Sequence, residues 1–427
     1  MKKVSSERKK KMDEKFKKFK LAVAQFGQEQ LLDAYNMLEK TQEKEDFLDE
    51  SLTIDYNQVK TLYEESKKIQ GSTVAKIEPI NYIDKSKMTK EEYTEYENIG
   101  VQEIKAGKLA VVTMAGGQGT RLGHSGPKGT YDLGLESHKS IFEILTDTLK
   151  EEKERYGVDI PWYIMTSEEN NAETEKFFKD NNYFGYSAKN IQFFKQGKLP
   201  MLSKQGKILI DETGHIKQAA DGHGGVFNSL LKDGMIEDMK SKNIEWIFVG
   251  GVDNVLVKPV DPVLIGLSIK KKVLIAGKSI VKANPQEKVG VFCKRNGKPS
   301  VIEYSEIKPE MAEELDQNGE LKYGESHILC NLFNIKAIEK ISNEYLPYHV
   351  AVKKAKYIDE NGKVVTPEEP NAYKFEAFLF DAFENIDDMI VMRVKREDEF
   401  APVKNATGTD SPETARELYK EFHLKAK

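Results

Sequence analysis

The chain has 427 residues, of which 39% are hydrophobic and 32% charged, enough for two or three domains around at least one sizeable core. Its 65 basic and 70 acidic side chains give a net charge of −5, which argues against a broad nucleic-acid-binding surface. No run approaches the roughly 20 apolar residues that cross a bilayer, and the first residues never reach the apolar stretch of a signal peptide. We therefore expect a cytoplasmic protein without membrane or nucleic-acid partners.

The two cysteines, Cys293 and Cys330, are too few for a disulfide framework. Both lie in apolar, strand-like runs of the sequence. We expect small buried core residues in a reducing compartment, rather than catalytic or metal-binding thiols.

Residues 1–98 are predicted to form a strongly charged N-terminal helical region. Phe16, Phe19 and Val23 repeat at the spacing of one helical face. The lysines around this face are typical of a solvated helix surface, with binding of an anionic partner as the alternative. Pro79 and the residues after it are expected to form a connection to the next region.

Residues 99–388 show a different pattern, in which short apolar runs alternate with helical or loop segments. The runs are continuous, as in strands that are buried on both faces. Intervening helices such as 139–156 indicate βαβ units, so the sequence predicts an α/β fold with a mainly parallel sheet flanked by helices. The predicted strands are 109–114, 162–165, 191–194, 246–249, 273–276, 289–292, 301–304 and 328–333, and a further strand at 389–394 begins the next segment.

Residues 389–427 form a short C-terminal segment in this division of the chain. Ser411 and Pro412 suit the N-cap and the first position of a terminal helix. Ligands of mainly parallel sheets bind beyond the carboxyl ends of the strands. We expect the functional site at that edge, because the informative residues of this sequence follow predicted strands.

A glycine-rich loop follows the first predicted strand. Residues 114–123 read MAGGQGTRLG, and residues 127–129 read PKG. Glycine permits positive φ and close approach of the backbone to a ligand, so that consecutive N–H groups can point at phosphate oxygens. Arg121 can hold phosphate oxygens in a planar fork, and Lys128 adds a compact positive charge. The loop therefore predicts a phosphate-binding site.

Two commoner glycine motifs do not fit this loop. The dinucleotide fingerprint G-x-G-x-x-G, counted from Gly117, would need a third glycine where Leu122 stands. The P-loop needs a glycine before its lysine, whereas Lys128 follows Pro127. The loop is neither a typical Rossmann cofactor loop nor a Walker A loop.

The ordered motifs of the chain resemble the eukaryotic-type UDP-N-acetylhexosamine (UDP-N-acetylglucosamine) pyrophosphorylases, a branch of the UDP-sugar pyrophosphorylases. The likeness covers about residues 100–420 and implies a nucleotidyltransferase fold with a Rossmann-like sheet. Besides the glycine loop, the matching blocks are QGKLP at 196–200, DGHGG at 221–225, VDN at 252–254, VIEYSE at 301–306, Asn331, and REDEFAPVKN at 396–405.

The resemblance implies a uridylyltransferase that converts UTP and N-acetylglucosamine 1-phosphate into UDP-N-acetylglucosamine and pyrophosphate, with Mg²⁺ as cofactor. A UDP-glucose or broad-specificity UDP-sugar pyrophosphorylase is the alternative. A catalytically silent nucleotide-sugar-binding protein is a more remote one. The sequence leaves open whether the chain is a monomer or a homodimer.

The same likeness assigns site residues of four kinds. A carboxylate after a buried strand can ligate Mg²⁺, although Asp253 could instead cap a turn. Gln196 could be an ordinary loop residue, and the assigned lysines and sugar-binding residues could be solvent-facing or strand-end polar groups. The assignments are Arg121, Lys128 and Lys404 as catalytic, Ala115, Gly116, Gly117, Gln196, Gly222 and Lys374 as nucleotide-binding, His223, Gly290, Glu303 and Asn331 as sugar-binding, and Asp253 as metal-binding.

Two features depart from the family pattern. His223 stands where the family usually carries asparagine, so its size and charge could alter the hexose preference, unless it is a structural histidine. The family continues beyond the 396–405 block into a small β-rich domain, whereas this sequence continues with one predicted helix. Contacts and regulation through that domain are therefore not expected to carry over.

Overall fold

The computed structural model describes residues 2–68 and 75–425. The described helices are α1 (Lys2–Gln25), α2 (Gln30–Met37), α3 (Thr41–Leu52), α4 (Tyr56–Lys68), α5 (Lys90–Lys105), α6 (Ile141–Tyr156), α7 (Asn171–Asp180), α8 (Val226–Lys232), α9 (Met235–Ser241), α10 (Pro262–Lys271), α11 (Pro309–Glu313), α12 (Ile335–Ser342), α13 (Arg396–Glu399) and α14 (Pro412–Lys425). None of the helices within these ranges is long and apolar enough to cross a membrane.

The strands are short and are spread over the whole described chain. They are β1 (Ile77–Pro79), β2 (Ile83–Asp84), β3 (Leu109–Met114), β4 (Trp162–Thr166), β5 (Ile191–Lys195), β6 (Lys198–Pro200), β7 (Leu202–Ser203), β8 (Gln218–Ala220), β9 (Trp246–Gly251), β10 (Ile275–Val281), β11 (Val291–Arg295), β12 (Lys298–Ile302), β13 (Glu325–Asn334), β14 (His349–Lys353), β15 (Tyr357–Ile358), β16 (Val364–Val365), β17 (Ala372–Glu376) and β18 (Ile390–Arg393).

The described residues group into two compact units, each made of separate stretches of chain. The first unit draws on segments 1–74, 197–222 and 347–378, and the second on 75–196, 223–346 and 379–427. This grouping by contact differs from the division at residues 98 and 388 that composition suggests. Those sequence-based domain limits remain a prediction.

The first unit combines α1–α4 with small antiparallel sheets. Strands β14, β17 and β7 form one sheet in that order, β15 pairs with β16, and β6 pairs with β8. Phe19 and Val23 are fully buried in a core that also contains Phe47 and Leu202. The apolar helical face predicted near the N-terminus therefore belongs to the core of this unit.

The second unit contains a mainly parallel sheet with the strand order β2-β18-β10-β13-β9-β3-β4-β5. Strand β13 runs antiparallel to β10 and β9, whereas the other neighbours on this path are parallel. Every residue of β3 and β4 is buried, as their continuous apolar runs predict. Helices α6 and α10 contribute Ile141, Leu145 and Leu264 to the same core. The predicted α/β class is confirmed.

The segment around Pro79, predicted as a connection, contains two strands instead. Strand β1 pairs antiparallel with β11, and β2 pairs in parallel with β18 at the end of the sheet. Strands of two or three residues carry too few side chains to show a hydrophobic period, so composition indicated only a break in the helices.

The C-terminal helix begins where Ser411 and Pro412 predict it. Pro412 is the first residue of α14, and the Thr414 N–H donates to Ser411 Oγ at 3.3 Å. Cys293 and Cys330 are both buried and unpaired, and burial raises the pKa of each thiol to about 12. These are the inert core cysteines that their apolar surroundings predict.

A buried group of charges links the sheet to two helices of the second unit. Lys278, in the interior of β10, is fully buried, and its Nζ lies 2.9 Å from Asp261 Oδ2 and 2.6 Å from Glu399 Oε2. Burial alone would lower the pKa of the Lys278 amine, but the two carboxylates outweigh burial and hold this pKa above its ordinary value. Asp261 is the N-cap of α10 and Glu399 ends α13, so both helix termini are fixed to the sheet.

Replacing Lys278 by methionine should destabilise the protein by about 3 to 5 kcal/mol, because the buried Glu399 carboxylate loses its ion-pair partner while Asp261 keeps Lys85. The shift of the thermal unfolding midpoint, followed by circular dichroism, measures this effect. Lys270→Met is the matched control, since Lys270 pairs with Glu95 on the exposed side of α10 and exposed pairs contribute little. Equal shifts in the two variants would contradict the importance of the buried group.

Candidate active site

The loops that follow β3, β4 and β9 lie at one edge of the sheet, because these strands are parallel. The glycine loop begins after Met114, the last residue of β3. Asn170 follows the end of β4, and Asp253 comes two residues after Gly251, the last residue of β9. Polar residues from distant parts of the sequence therefore meet where parallel sheets bind their ligands.

The glycine loop folds back on itself. The Gly119 N–H donates to Gly126 O at 3.0 Å, and the Lys128 N–H donates to Gly117 O at 3.1 Å. These bonds bring the two basic parts of the loop together, which their spacing in the sequence does not fix. Arg121 is exposed, whereas only 15% of the Lys128 side chain is exposed.

Glycine serves different purposes at different points of this loop. Gly123 has a φ of 71° and ends the helical turn Thr120–Leu122. At Gly116 the reason is close approach, because a Cβ would lie 2.6 Å from Gln196 Oε1. At Gly117 a Cβ would have no heavy atom of residues 2–68 or 75–425 within 4 Å, and the residue is exposed. The backbone at Gly117 is therefore sterically open to a ligand.

Asn170, which the sequence analysis did not single out, holds the start of the glycine loop. It is fully buried, and its Nδ2 donates to Ala115 O at 3.0 Å and to Gly117 O at 3.4 Å. Fixing these carbonyl groups also fixes the direction of the N–H groups that follow them. An asparagine near the start of a helix is too ordinary a pattern to indicate this contact.

Lys128 and Asp253 form the charged centre of the edge, with Lys128 Nζ 3.8 Å from Asp253 Oδ2. Burial lowers the pKa of the Lys128 amine, and the charge of Asp253 opposes this shift. The charges of Arg121 and Lys404 lower that pKa further. Burial alone would raise the pKa of the Asp253 carboxyl, but Lys128 and Lys404 outweigh burial and hold it below its ordinary value. Asp253 is therefore a carboxylate at neutral pH.

Lys404 reaches this edge because its segment pairs with the loop after β9. The Val403 N–H donates to Asp253 O at 2.8 Å, and the Lys404 N–H donates to Asp410 O at 2.6 Å. The Lys404 ammonium lies 3.7 Å from the Asp410 carboxylate. The structure thus brings together the three residues predicted to be catalytic and the one predicted to bind metal.

Asn254 joins the same two segments through its side chain. It is 4% exposed, its Nδ2 donates to Glu399 O at 2.7 Å, and its Oδ1 accepts from the Ala401 N–H at 2.9 Å. An asparagine side chain can donate and accept at once, whereas an aspartate carboxylate in its place could only accept. The sequence block VDN at 252–254 indicated Asp253 as a site residue. It did not indicate that Asn254 fixes the segment that carries Lys404.

The four predicted sugar-binding residues all lie in the second unit. Gly290 and Glu303 are neighbours, since a Cβ at position 290 would lie 2.9 Å from Glu303 Oε1. Asn331 lies in β13 and is fully buried. His223 Nδ1 accepts from the Leu379 N–H at 3.0 Å, so the neutral ring carries its proton on Nε2. Contact of these residues with a sugar remains a prediction.

Gly222 and Lys374 belong to the first unit. Gly222 has a φ of 89°, and a Cβ there would lie 2.2 Å from Ala377 O, so only glycine fits this position. Lys374 lies in β17, and its Nζ donates to Glu376 Oε1 at 2.8 Å. Their predicted contacts with the nucleotide remain predictions.

The side chains around Asp253 show which ligands the protein could offer to the expected Mg²⁺ ion. Among the described residues, no group of three or more histidine, cysteine, aspartate or glutamate side chains could hold a metal ion. A single carboxylate still fits Mg²⁺, which usually takes one or two carboxylates and obtains its other oxygens from substrate phosphates and water. The Asp253 carboxylate is therefore compatible with Mg²⁺, and binding of this ion remains a prediction.

A glycine loop and a cluster of cations at the carboxyl edge of a mainly parallel sheet define an α/β protein of the nucleotidyltransferase class. Residues 54–410 match the model of the family described as UTP--glucose-1-phosphate uridylyltransferase. The chain belongs to this family.

Individual relatives confirm the narrower resemblance. The UDP-N-acetylglucosamine pyrophosphorylase of Saccharomyces cerevisiae is 39% identical over 379 residues, covering 85% of this chain and 78% of the relative. UDP-N-acetylglucosamine diphosphorylase 2 of Arabidopsis thaliana is 37% identical over 422 residues, covering 94% and 82%. The crystal structure of the uridine diphosphate N-acetylglucosamine pyrophosphorylase from Trypanosoma brucei superimposes with a TM-score of 0.82 at 30% identity, covering 95% of this chain and 84% of that one.

Gly129→Ala should destabilise the protein by about 1 to 3 kcal/mol, since a Cβ would lie 2.2 Å from the ring of the buried Phe142 and force an overpacked core. Gly117→Ala is the control in the same loop, because a Cβ there meets nothing. Thermal unfolding midpoints of both variants test this difference. A midpoint for Gly129→Ala as high as that of Gly117→Ala would show that Phe142 does not fix the loop beside Lys128.

Proposed function

We propose that this protein is a uridylyltransferase that joins UTP to N-acetylglucosamine 1-phosphate, forming UDP-N-acetylglucosamine and pyrophosphate. The observation that carries the proposal is the cluster of Arg121, Lys128 and Lys404 around Asp253, beside a glycine loop, in a chain of this family. Two substrates that both carry phosphate charge need such a concentration of cations in order to meet.

The proposed reaction is an in-line displacement at phosphorus. A phosphate oxygen of the sugar 1-phosphate attacks the α-phosphorus of UTP, and the bond from this phosphorus to the bridging oxygen breaks as pyrophosphate leaves. The attacking oxygen is already an anion, so no proton has to be removed and no covalent enzyme intermediate is needed. Catalysis then consists mainly of positioning and of stabilising negative charge.

The charged side chains have different roles in this reaction, according to their chemistry. Arg121, exposed on the glycine loop, is available for a bidentate contact with phosphate oxygens. Lys128, largely buried, supplies a positive charge in a site where charges interact strongly. Asp253 would hold Mg²⁺ together with phosphate oxygens, and a bound Mg²⁺ ion neutralises phosphate charge.

The nucleoside and the sugar would be bound by different groups of residues. The side chain of Gln196 lies against Gly116 and has both a donor and an acceptor, which match the polar edge of uracil. Ala115 and Gly117 would approach the nucleotide through their backbone groups. Gly222 and Lys374 are proposed as further nucleotide contacts.

The names of the relatives support N-acetylglucosamine 1-phosphate as the sugar substrate. His223, Gly290, Glu303 and Asn331 would bind its hydroxyl and acetamido groups. A UDP-glucose or broad-specificity pyrophosphorylase is the second candidate, and the observation that favours it is His223 in place of the usual asparagine. A histidine with its proton on Nε2 offers one donor, where an asparagine amide offers a donor and an acceptor.

Arg121→Ala and Lys128→Ala should each lower kcat by about 10²-fold or more, since each removes a charge that stabilises the transition state. Steady-state pyrophosphate release measures the loss, and unfolding midpoints show whether the fold is intact. Lys176→Ala is the control, because Lys176 pairs with Asp180 on an exposed helix surface. Near-normal turnover in both loop variants would remove their catalytic assignment.

A panel of sugar 1-phosphates tests the reaction itself. With UTP and Mg²⁺, N-acetylglucosamine 1-phosphate should give the highest kcat/KM, and glucose 1-phosphate and N-acetylgalactosamine 1-phosphate should give lower values. Excess EDTA should abolish turnover with every sugar, and added Mg²⁺ should restore it. Preference for glucose 1-phosphate would favour the second candidate, and turnover undiminished by EDTA would contradict the role of Mg²⁺.

A further inference from the structure

His124 lies inside the fold of the glycine loop, between Arg121 and Lys128 in the sequence. Its backbone N–H donates to Gly119 O at 3.1 Å. Its partly buried ring stands edge-on to the ring of Tyr131, with the two centroids 5.7 Å apart. The side chain therefore points into the loop and contacts residues on both sides of it in the sequence.

A chain of two hydrogen bonds joins the His124 ring to the turn that carries Lys128. His124 Nε2 lies 2.7 Å from Thr130 Oγ1, and Thr130 Oγ1 donates to Pro127 O at 2.8 Å. A carbonyl oxygen only accepts, so the single hydroxyl proton of Thr130 is used in the second bond, and His124 Nε2 must donate in the first. Pro127 precedes and Thr130 ends the helical turn that contains Lys128. The ring is therefore bonded to both ends of this turn.

Two glycines of the loop leave room for the same ring. A Cβ at Gly119 would lie 2.8 Å from His124 Cδ2. A Cβ at Gly126 would lie 3.1 Å from His124 Nε2 and 3.3 Å from Thr130 Oγ1, and also 2.7 Å from Glu173 Oε1. Neither glycine has a positive φ. Close packing around His124, and not an unusual backbone conformation, is therefore what excludes a side chain at these two positions.

The turn of Lys128 is fixed from two sides. Gly129 lies against the buried ring of Phe142, where a Cβ would be 2.2 Å from a ring carbon. Thr130 is held by His124. The Lys128 ammonium itself has only a loose ion pair of 3.8 Å, so the place of this charge depends on the backbone that carries it. A cation stabilises a transition state most when it is in place before the reaction begins.

We propose that His124 is a positioning residue of the reaction: its ring holds the turn of Lys128, so that the ammonium meets the phosphate charge that develops in the transition state. This inference rests on the proposed function and deepens it. His124 acts here through Lys128 and the backbone of the loop, without a contact of its own with the substrates.

Steady-state pyrophosphate release tests this role. His124→Phe keeps an aromatic ring but removes the donor, and Thr130→Val removes the acceptor but keeps the branched shape. Each should lower kcat about three- to tenfold, the worth of one hydrogen bond, and leave the KM for N-acetylglucosamine 1-phosphate within about twofold. His124→Gln, which places an N–H near the position of Nε2, should recover most of the turnover. His215→Phe is the control, because this exposed histidine of the first unit pairs with Glu50.

Double variants separate positioning of Lys128 from general support of the fold. His124→Phe together with Thr130→Val should lower kcat no further than either change alone, because both break the same bond. In a Lys128→Ala background, His124→Phe should have no further effect on kcat, because it acts through Lys128.

Unfolding midpoints show which variants are folded. Unchanged kcat in folded His124→Phe or Thr130→Val, or an undiminished loss in the Lys128→Ala background, would overturn the positioning role and leave the proposed function standing. A wild-type protein that releases no pyrophosphate with any sugar 1-phosphate would overturn the proposed function and this inference with it.

Discussion

The candidate site depends on one partly buried carboxylate held among cations at the carboxyl edge of the sheet. Asp253 comes from the loop after β9, Lys128 from the loop after β3, and Lys404 from the C-terminal segment. A charge that is removed from water without a partner is strongly unfavourable, whereas a nearby opposite charge offsets part of that cost. The negative charge of Asp253 therefore offsets the mutual repulsion of the cations, so that they can lie close together at this edge.

Buried polar side chains then set the backbone that carries these charges. Asn170 fixes the start of the glycine loop, and Asn254 joins the loop of Asp253 to the segment of Lys404. Lys278 fixes Glu399, which precedes Lys404 in that segment. Asn170, Asn254 and Lys278 thus each contact a main-chain or charged group that is distant in the sequence. Functional groups on loops need such support, because loops lack the ladders of hydrogen bonds that hold helices and strands.

Strand β13 runs antiparallel to its neighbours β10 and β9, and a bulge between His327 and Asn331 interrupts its ladder to β10. The reversal places His327 near the edge where the parallel strands end. The left-handed Leu329 shortens the strand between His327 and Asn331. A local departure from ideal backbone geometry thus brings two polar side chains into contact.

The sequence by itself determined the α/β class, the buried parallel strands, the terminal helix and the glycine loop with Arg121 and Lys128, because these depend on local periodicity and composition. Family-like blocks indicated the other candidate site residues. Only the tertiary structure decided the separate segments of each unit, the bulge in β13 and the roles of Asn170 and Asn254. The physical reason is that these features consist of contacts between residues far apart in the chain or of a register between strands, which no local pattern encodes.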